Sequence, residues 1–134
     1  MTNFSHHALH KAIYQKLTED ATLINAVNGV FDLVPQGQEY PYITIGESTT
    51  SDWSTNTTTG TEHLLTIHVW SREGGKKETE LLMERIHTLL HDGSLTIDDQ
   101  TLVLSRFQSS SIELEGDGWT NHGRMRFRML LEAD

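Results

Sequence analysis

The chain contains no cysteine, so no disulfide holds its fold and no thiolate can ligate a metal; the redox compartment is not written in it either. Cations are scarce. Ten Lys and Arg stand against nineteen Asp and Glu, a formal net charge of -9, and they are spread along the chain without forming a basic arm. Tight, nonspecific nucleic-acid binding is not expected on that ground, because it draws its free energy from clustered cations that displace counterions. No apolar run approaches the ~18 residues that span a bilayer, and the N-terminal "MTNFSHHALHK" lacks the charged-then-apolar order of a signal peptide. A soluble, unexported protein with no membrane partner is expected, in which the Asn56-Thr57-Thr58 sequon carries no glycan.

What is present is enough for one core. A chain of 134 residues, 36% of them apolar, falls in the size range of a single domain over 1–134, and folding would bury roughly two thirds of its extended surface. Leu9, Ile13 and Leu17 recur every four positions and predict a helix over 5–19 that Ser5 could cap. Asp20 predicts a short second helical turn carrying Leu23, Ile24 and Val27, closed at Asn28-Gly29 by left-handed backbone. "YPYITIGE" predicts a strand over 42–47, with Pro41 at its start, where a missing amide donor costs least. Residues 48–61 are almost wholly Ser, Thr, Asn and Gly around Trp53, and predict a long mobile hairpin loop.

"HLLTIHVW" follows as a strand with Leu65, Ile67 and Val69 on one face and Leu64, Thr66, His68 and Trp70 on the other. Leu82, Ile86, Leu89 and Leu90 have helical spacing after Gly74-Gly75, and "HDG" at 91–93 ends that helix. Two short extended runs are expected around Asp98-Asp99, then "SIELE" after Ser109-Ser110-Ser111. In a last strand Met125, Phe127 and Met129 alternate with Arg124, Arg126 and Arg128. Most neighbouring strands are joined by turns too short for a parallel crossover, so the fold class is α+β, a mainly antiparallel sheet with two principal helices packed on it.

Templates for chemistry fail in turn. A P-loop needs G-x-x-x-x-G-K-[ST], whereas the position five before Gly75 is Trp70 and Lys76 is followed by Lys77; the two glycines read as a sharp turn from strand to helix. Of the eight histidines, His6 and His10 would share a helix face, as would His87 and His91, while His63, His68 and His122 could be strand neighbours. H-E-x-x-H is absent, so spacing alone identifies no metal site and no metal or cofactor is predicted. No serine sits on a G-x-S-x-G elbow, and the pairs Asp98-Asp99 and Glu113/Glu115 read as a turn and a solvent face. No catalytic set can be named, and no enzyme is predicted.

Two features remain. The arginine stripe can make forked pairs with carboxylates, either with Glu47, Glu62 or Glu113 in the same chain or with acidic groups of another copy. Trp53, on a polar loop, is either an interface anchor or an aromatic folded back on its own sheet.

The succession "YPYITIGE", a polar "W-S-T" stretch ending in Gly60, "EHLLTIHVWSREGGKKE", a helix ending "LLHD" and "DGWTNHGRMRFRMLLE" resembles the tail-terminator, or tail-completion, proteins of long-tailed bacteriophages and gene transfer agents. "HVWSR" before a glycine and a helix, with "HG-x-x-RFR" some fifty residues later, is its most specific pair, and the likeness runs from about Phe4 to Glu132. The resemblance implies an α+β structural protein of the virion or transfer-agent particle, at the head-proximal end of a tail assembled in the bacterial host cytoplasm. It would form a homo-hexameric ring that caps the tail tube protein, ends tube polymerisation and offers the joining surface to the head-tail connector or stopper, with DNA passing through the channel without specific binding. A negative chain would suit such a channel. The family carries over no short list of functional side chains. From this sequence, Asp52, Trp53, Thr55 and Asn56 are the expected contacts of the 52–58 loop with a neighbour or the tube, and Arg124, Arg126 and Arg128 the expected pairing groups. The competing readings are a head-side connector or stopper and, from another class, a small metal-dependent hydrolase built on the histidines.

Overall fold

The computed structural model describes residues 6–134. Along the chain lie α1 (His6–Glu19), α2 (Ala21–Ala26), β1 (Val30–Phe31), β2 (Tyr42–Asp52), β3 (Gly60–Ser71), α3 (Lys77–Leu90), β4 (Gln100–Leu114) and β5 (Asn121–Ala133). All five strands form one sheet in the order β1-β2-β3-β5-β4, antiparallel except for the two-residue β1, which runs parallel to β2. This is the expected α+β arrangement.

The alternation in the strands decides which face the helices cover. Ile43 and Ile45 of β2, Leu65, Ile67 and Val69 of β3, and Met125, Phe127 and Met129 of β5 are all buried, and they form one cluster with Leu9, Ile13 and Leu17 of α1 and Leu82, Ile86 and Leu90 of α3. Each apolar stripe has the period of its own element, so the two kinds of surface meet without burying charge. Gly123 lets α3 approach β5: a Cβ there would lie 2.6 Å from Met83 Sδ and 2.9 Å from Thr79 Cγ2. Between α2 and α3, Asp20 accepts the Leu23 amide (2.9 Å) and pairs with the Arg85 guanidinium, a cap and an ion pair on one carboxylate. The Arg85 contact is the chief reason the Asp20 carboxyl is held below the usual carboxylate range.

Several boundaries differ from those expected. β2 continues past residue 47 to Asp52, paired with β3 through Asp52↔Thr61 after a bulge between Ile45 and Ser48, so the connecting loop spans only 53–59. The Thr-rich run keeps its ladder hydrogen bonds because the strand next to it is long enough to pair with it. That loop is held by its own bonds, among them Thr55 N–H to Thr58 O (2.7 Å) and Ser54 Oγ to Asp52 Oδ1 (2.7 Å). Likewise 109–111 do not interrupt a strand: β4 runs unbroken from Gln100 to Leu114, with bulges at Leu102/Leu104 and Phe107/Ser109, and before the Asp98-Asp99 turn only Ile97 makes a bridge. At the end of α3 the left-handed position belongs to Asp92 (φ 53°), not Gly93. Gly29 has φ 158°, close to extended and not left-handed, and its missing Cβ leaves room for the Phe31 ring. The expected Ser5 cap lies outside the described residues.

Candidate functional site

The sheet face turned away from the helices carries most of the chemistry. The pairing register brings Glu47, Glu62, Thr66, His68 and Trp70 onto it beside His122, Arg124, Arg126 and Arg128. The three arginines of the stripe are not equivalent. Arg128 Nε donates to Glu62 Oε2 at 2.5 Å and Arg124 Nη1 lies 3.3 Å from Glu113 Oε2, both within the chain. Arg126 is exposed and makes no hydrogen bond or ion pair among the described residues. It borders an open groove of about 250 Å³ whose other walls include Glu47, Thr49, Leu64, Thr66 and Gln108. A bare guanidinium in a concave, partly apolar wall can take a carboxylate as a forked pair.

Beside the groove His68 and His122 are strand neighbours, as their positions allowed, and they form a row with Glu47 and Glu115 that the sequence did not reveal. Glu47 Oε1 is 2.7 Å from His68 Nε2, His68 Nδ1 is 2.6 Å from His122 Nε2, and His122 Nδ1 is 2.8 Å from Glu115 Oε1. The two rings are buried, and Trp70 covers His122 with a ring separation of 3.7 Å. The hydrogen bond from His68 is the main cause holding the Glu47 carboxyl below its usual range. Burial, then the charges of Arg124 and His68, push the His122 imidazole down against the pull of Glu115. The facing nitrogens are at hydrogen-bond separation, too close for a metal with ligand bonds of about 2.0 Å to sit between them. Among the described residues no three His, Asp or Glu side chains gather as a metal site.

Next to the row, at the end of the sheet where β5 begins, Arg72 lies between the Tyr40 ring (4.1 Å) and the exposed Trp119 ring (4.2 Å). Its Nε donates to Thr120 Oγ1 at 2.9 Å, and Asp117, pushed down to about 2 chiefly by the Thr120 hydroxyl, lies 3.6 Å from Nη2. The only forewarning was that Arg72 directly follows a strand whose open face carries Trp70.

At the opposite end, Trp53 opens the 53–59 loop and is about a third exposed (37%). It lies over Gly60, where a Cβ would come within 2.8 Å of the indole, so this aromatic rests on its own strand and still shows one side to solvent. Asp52, Thr55 and Asn56 are exposed around it. The loop and the arginine stripe are therefore separate: Trp53 stands at the Gly60 end of β3, while Arg126 pairs with Thr66 in the middle of that strand.

At the Gly-Gly turn, Gly74 (φ 91°) and Gly75 (φ 112°) adopt the left-handed region, and Asn121 Nδ2 donates to Gly75 O at 2.7 Å. The following helix carries Glu78 and Glu80 in its first turn, and Ser71 Oγ donates to Glu78 at 2.6 Å. Carboxylates thus occupy the positive end of the helix dipole, where a phosphate would have to bind.

A model of the family described as "Tail completion protein gp17" matches residues 11–132. A curated relative, the tail completion protein gp17 of Bacillus phage SPP1, is 26% identical over 126 residues, 92% of this chain and 92% of that protein. Among solved structures, a chain of the virion of a native gene transfer agent particle superposes with a TM-score of 0.89 at 21% identity, over 98% of this chain and all of that one. The gp17 protein of bacteriophage SPP1 superposes with a TM-score of 0.66 at 24% identity, over 92% of this chain and 88% of that one. At these identities the superpositions establish a shared fold.

Proposed function

Because the chain belongs to the tail completion protein gp17 family, we propose that it is a structural tail-assembly protein of a phage or gene-transfer-agent particle that works without catalysis. Acting as a single domain, it assembles as a ring at the head-proximal end of the tail, ends polymerisation of the tube and offers the surface to which the head joins. Its partners are other copies of itself, the tail tube protein and the head-side connector, and DNA crosses the ring without specific binding. What carries this reading is the family match along 11–132, nearly the whole described chain.

The contact residues follow from exposure. In the loop, Asp52, Trp53, Thr55 and Asn56 are free to meet a neighbouring copy or the tube, and Trp53 offers the large aromatic area typical of an interface anchor. In the stripe, Arg126 has its guanidinium available to an acidic partner, whereas Arg124 and Arg128 would first have to exchange Glu113 and Glu62 for another carboxylate. An acidic copy of the same chain, with nineteen Asp and Glu, is a suitable donor of that group.

Deletion of the gene followed by electron microscopy of the particles tests the reading. Overlong tails, or tails that never join heads, are expected; particles of normal length and normal joining would refute it.

A further inference from the structure

The hydrogen bonds along Glu47, His68, His122 and Glu115 can be counted. Three contacts of 2.7, 2.6 and 2.8 Å link the four groups, and each needs one hydrogen between its two heavy atoms. Ionised carboxylates only accept, and a neutral imidazole carries one N–H. Two neutral rings therefore supply two hydrogens for three contacts. If His68 donates to Glu47 and His122 to Glu115, two ring lone pairs face each other at 2.6 Å; if either ring uses its hydrogen on the inner contact, a lone pair faces a carboxylate instead.

We infer that this row is a proton-binding site, holding one proton more than two neutral imidazoles and two carboxylates carry, and that this proton latches three strands of the sheet and the turn after β4 together. Glu47 stands at the β2 bulge, His68 on β3, His122 on β5 and Glu115 in the turn after β4. With the third hydrogen in place every contact is charge-assisted, and the row carries a net charge of -1. With either ring doubly protonated, each of the three contacts has one hydrogen and one acceptor, so the extra proton belongs to the row as a whole. The charged groups facing the row are Glu47 from β2, Arg124 and Arg126 from β5, and Glu113 and Glu115 from β4 and its turn; Glu113 is engaged by Arg124. Trp70 closes it with a ring stacked on His122 and His68, and Tyr42 packs in turn against Trp70. The carboxylate ends reach solvent, with Glu47 70% and Glu115 36% exposed, and give the proton its path in and out.

Loss of the proton must open one of the three contacts. Glu47 also lines the groove beside Arg126, so opening at that end would release a carboxylate to the guanidinium whose charge already acts on it. The site is independent of whether the chain forms a ring.

Nuclear magnetic resonance of the full chain with nitrogen-15 histidine reads the site directly. At pH 7 one ring is expected to show imidazolium shifts, with nitrogen–nitrogen coupling between His68 and His122 across their shared hydrogen; two neutral rings without coupling would overturn the inference. Urea unfolding of the wild type and His122→Phe, whose ring can still stack on Trp70, gives an independent reading. A proton retained on folding adds stability that is complete below the unfolded histidine value, near 6.5, and is lost as the pH rises through the folded value. The folding-constant ratio of wild type to variant should therefore fall between pH 6.5 and 9, by up to about tenfold per pH unit. A ratio that stays level across that range counts against the site as firmly as neutral rings would.

Discussion

His63 gives the sharpest quantitative test of the fold, because its ring is placed where a charge cannot be solvated. It is 1% exposed, with Nδ1 3.2 Å from Thr50 Oγ1, Nε2 3.0 Å from Thr61 Oγ1, and the His6 ring 6.0 Å away. Burial, and secondarily the charge on His6, push its pKa down to about 4 from the ordinary histidine value of 6.5. A depressed histidine is neutral in the folded state and takes up a proton on unfolding, so its effect on stability sets in as the pH drops below 6.5 and is complete near 4. At about 1.4 kcal/mol per pH unit the whole loss is about 3 kcal/mol, with about 2 kcal/mol of it in place at pH 5. Against a stability of roughly 5–15 kcal/mol for a domain, such a loss is plainly measurable. Urea unfolding at pH 7.5 and pH 5 should show the wild type losing about 2 kcal/mol more than His63→Gln, which keeps a hydrogen-bonding side chain and does not titrate. Equal losses in the two proteins would mean that the His63 ring is protonated in the folded state, and the argument from burial would fall.

Two further substitutions separate assembly from folding. Arg126→Glu removes an exposed cation that makes no hydrogen bond or ion pair among the described residues and acts on Glu47 only through its charge, so thermal unfolding of the isolated chain should change by no more than about 1 kcal/mol, while ring formation seen by electron microscopy is lost; normal rings from the variant would dismiss Arg126 as an interface group. Phe127→Ala empties the centre of the core, where the ring is 0% exposed and meets Phe107 edge-on at 5.8 Å, and should cost about 3–5 kcal/mol in denaturant. A loss under about 1 kcal/mol there would show that the sheet and helices do not close on that side chain as described.

The elements that could be read in advance are those whose periodicity is enforced by a core on one side. Leu9, Ile13 and Leu17 in α1, the Leu82/Ile86 stripe in α3 and Met125, Phe127 and Met129 in β5 each repeat at the interval of their own backbone, because burial selects every residue on that face. β4 was legible only in pieces. As an edge strand with mostly exposed residues at 108–111, it places little demand on side-chain type there, and its continuity comes from pairing with β5. The same reason hid the second half of β2, whose Thr and Ser residues look like loop until β3 lies beside them.

The amino-acid order by itself determined the helix faces, the buried side of each central strand, the cap at Asp20 and the absence of a P-loop, since each depends on residues a few positions apart. The resemblance to tail-completion proteins was likewise carried by segments read in order. Only the tertiary structure decided which arginine of the stripe makes no hydrogen bond or ion pair among the described residues, which aromatic rings enclose Arg72, and that His68 and His122, 54 residues apart, share a hydrogen bond. Those outcomes turn on strand register, in which a slip of one residue would send every side chain of β5 to the other face. Register is fixed by the packing of the whole sheet, and no local stretch of sequence contains it.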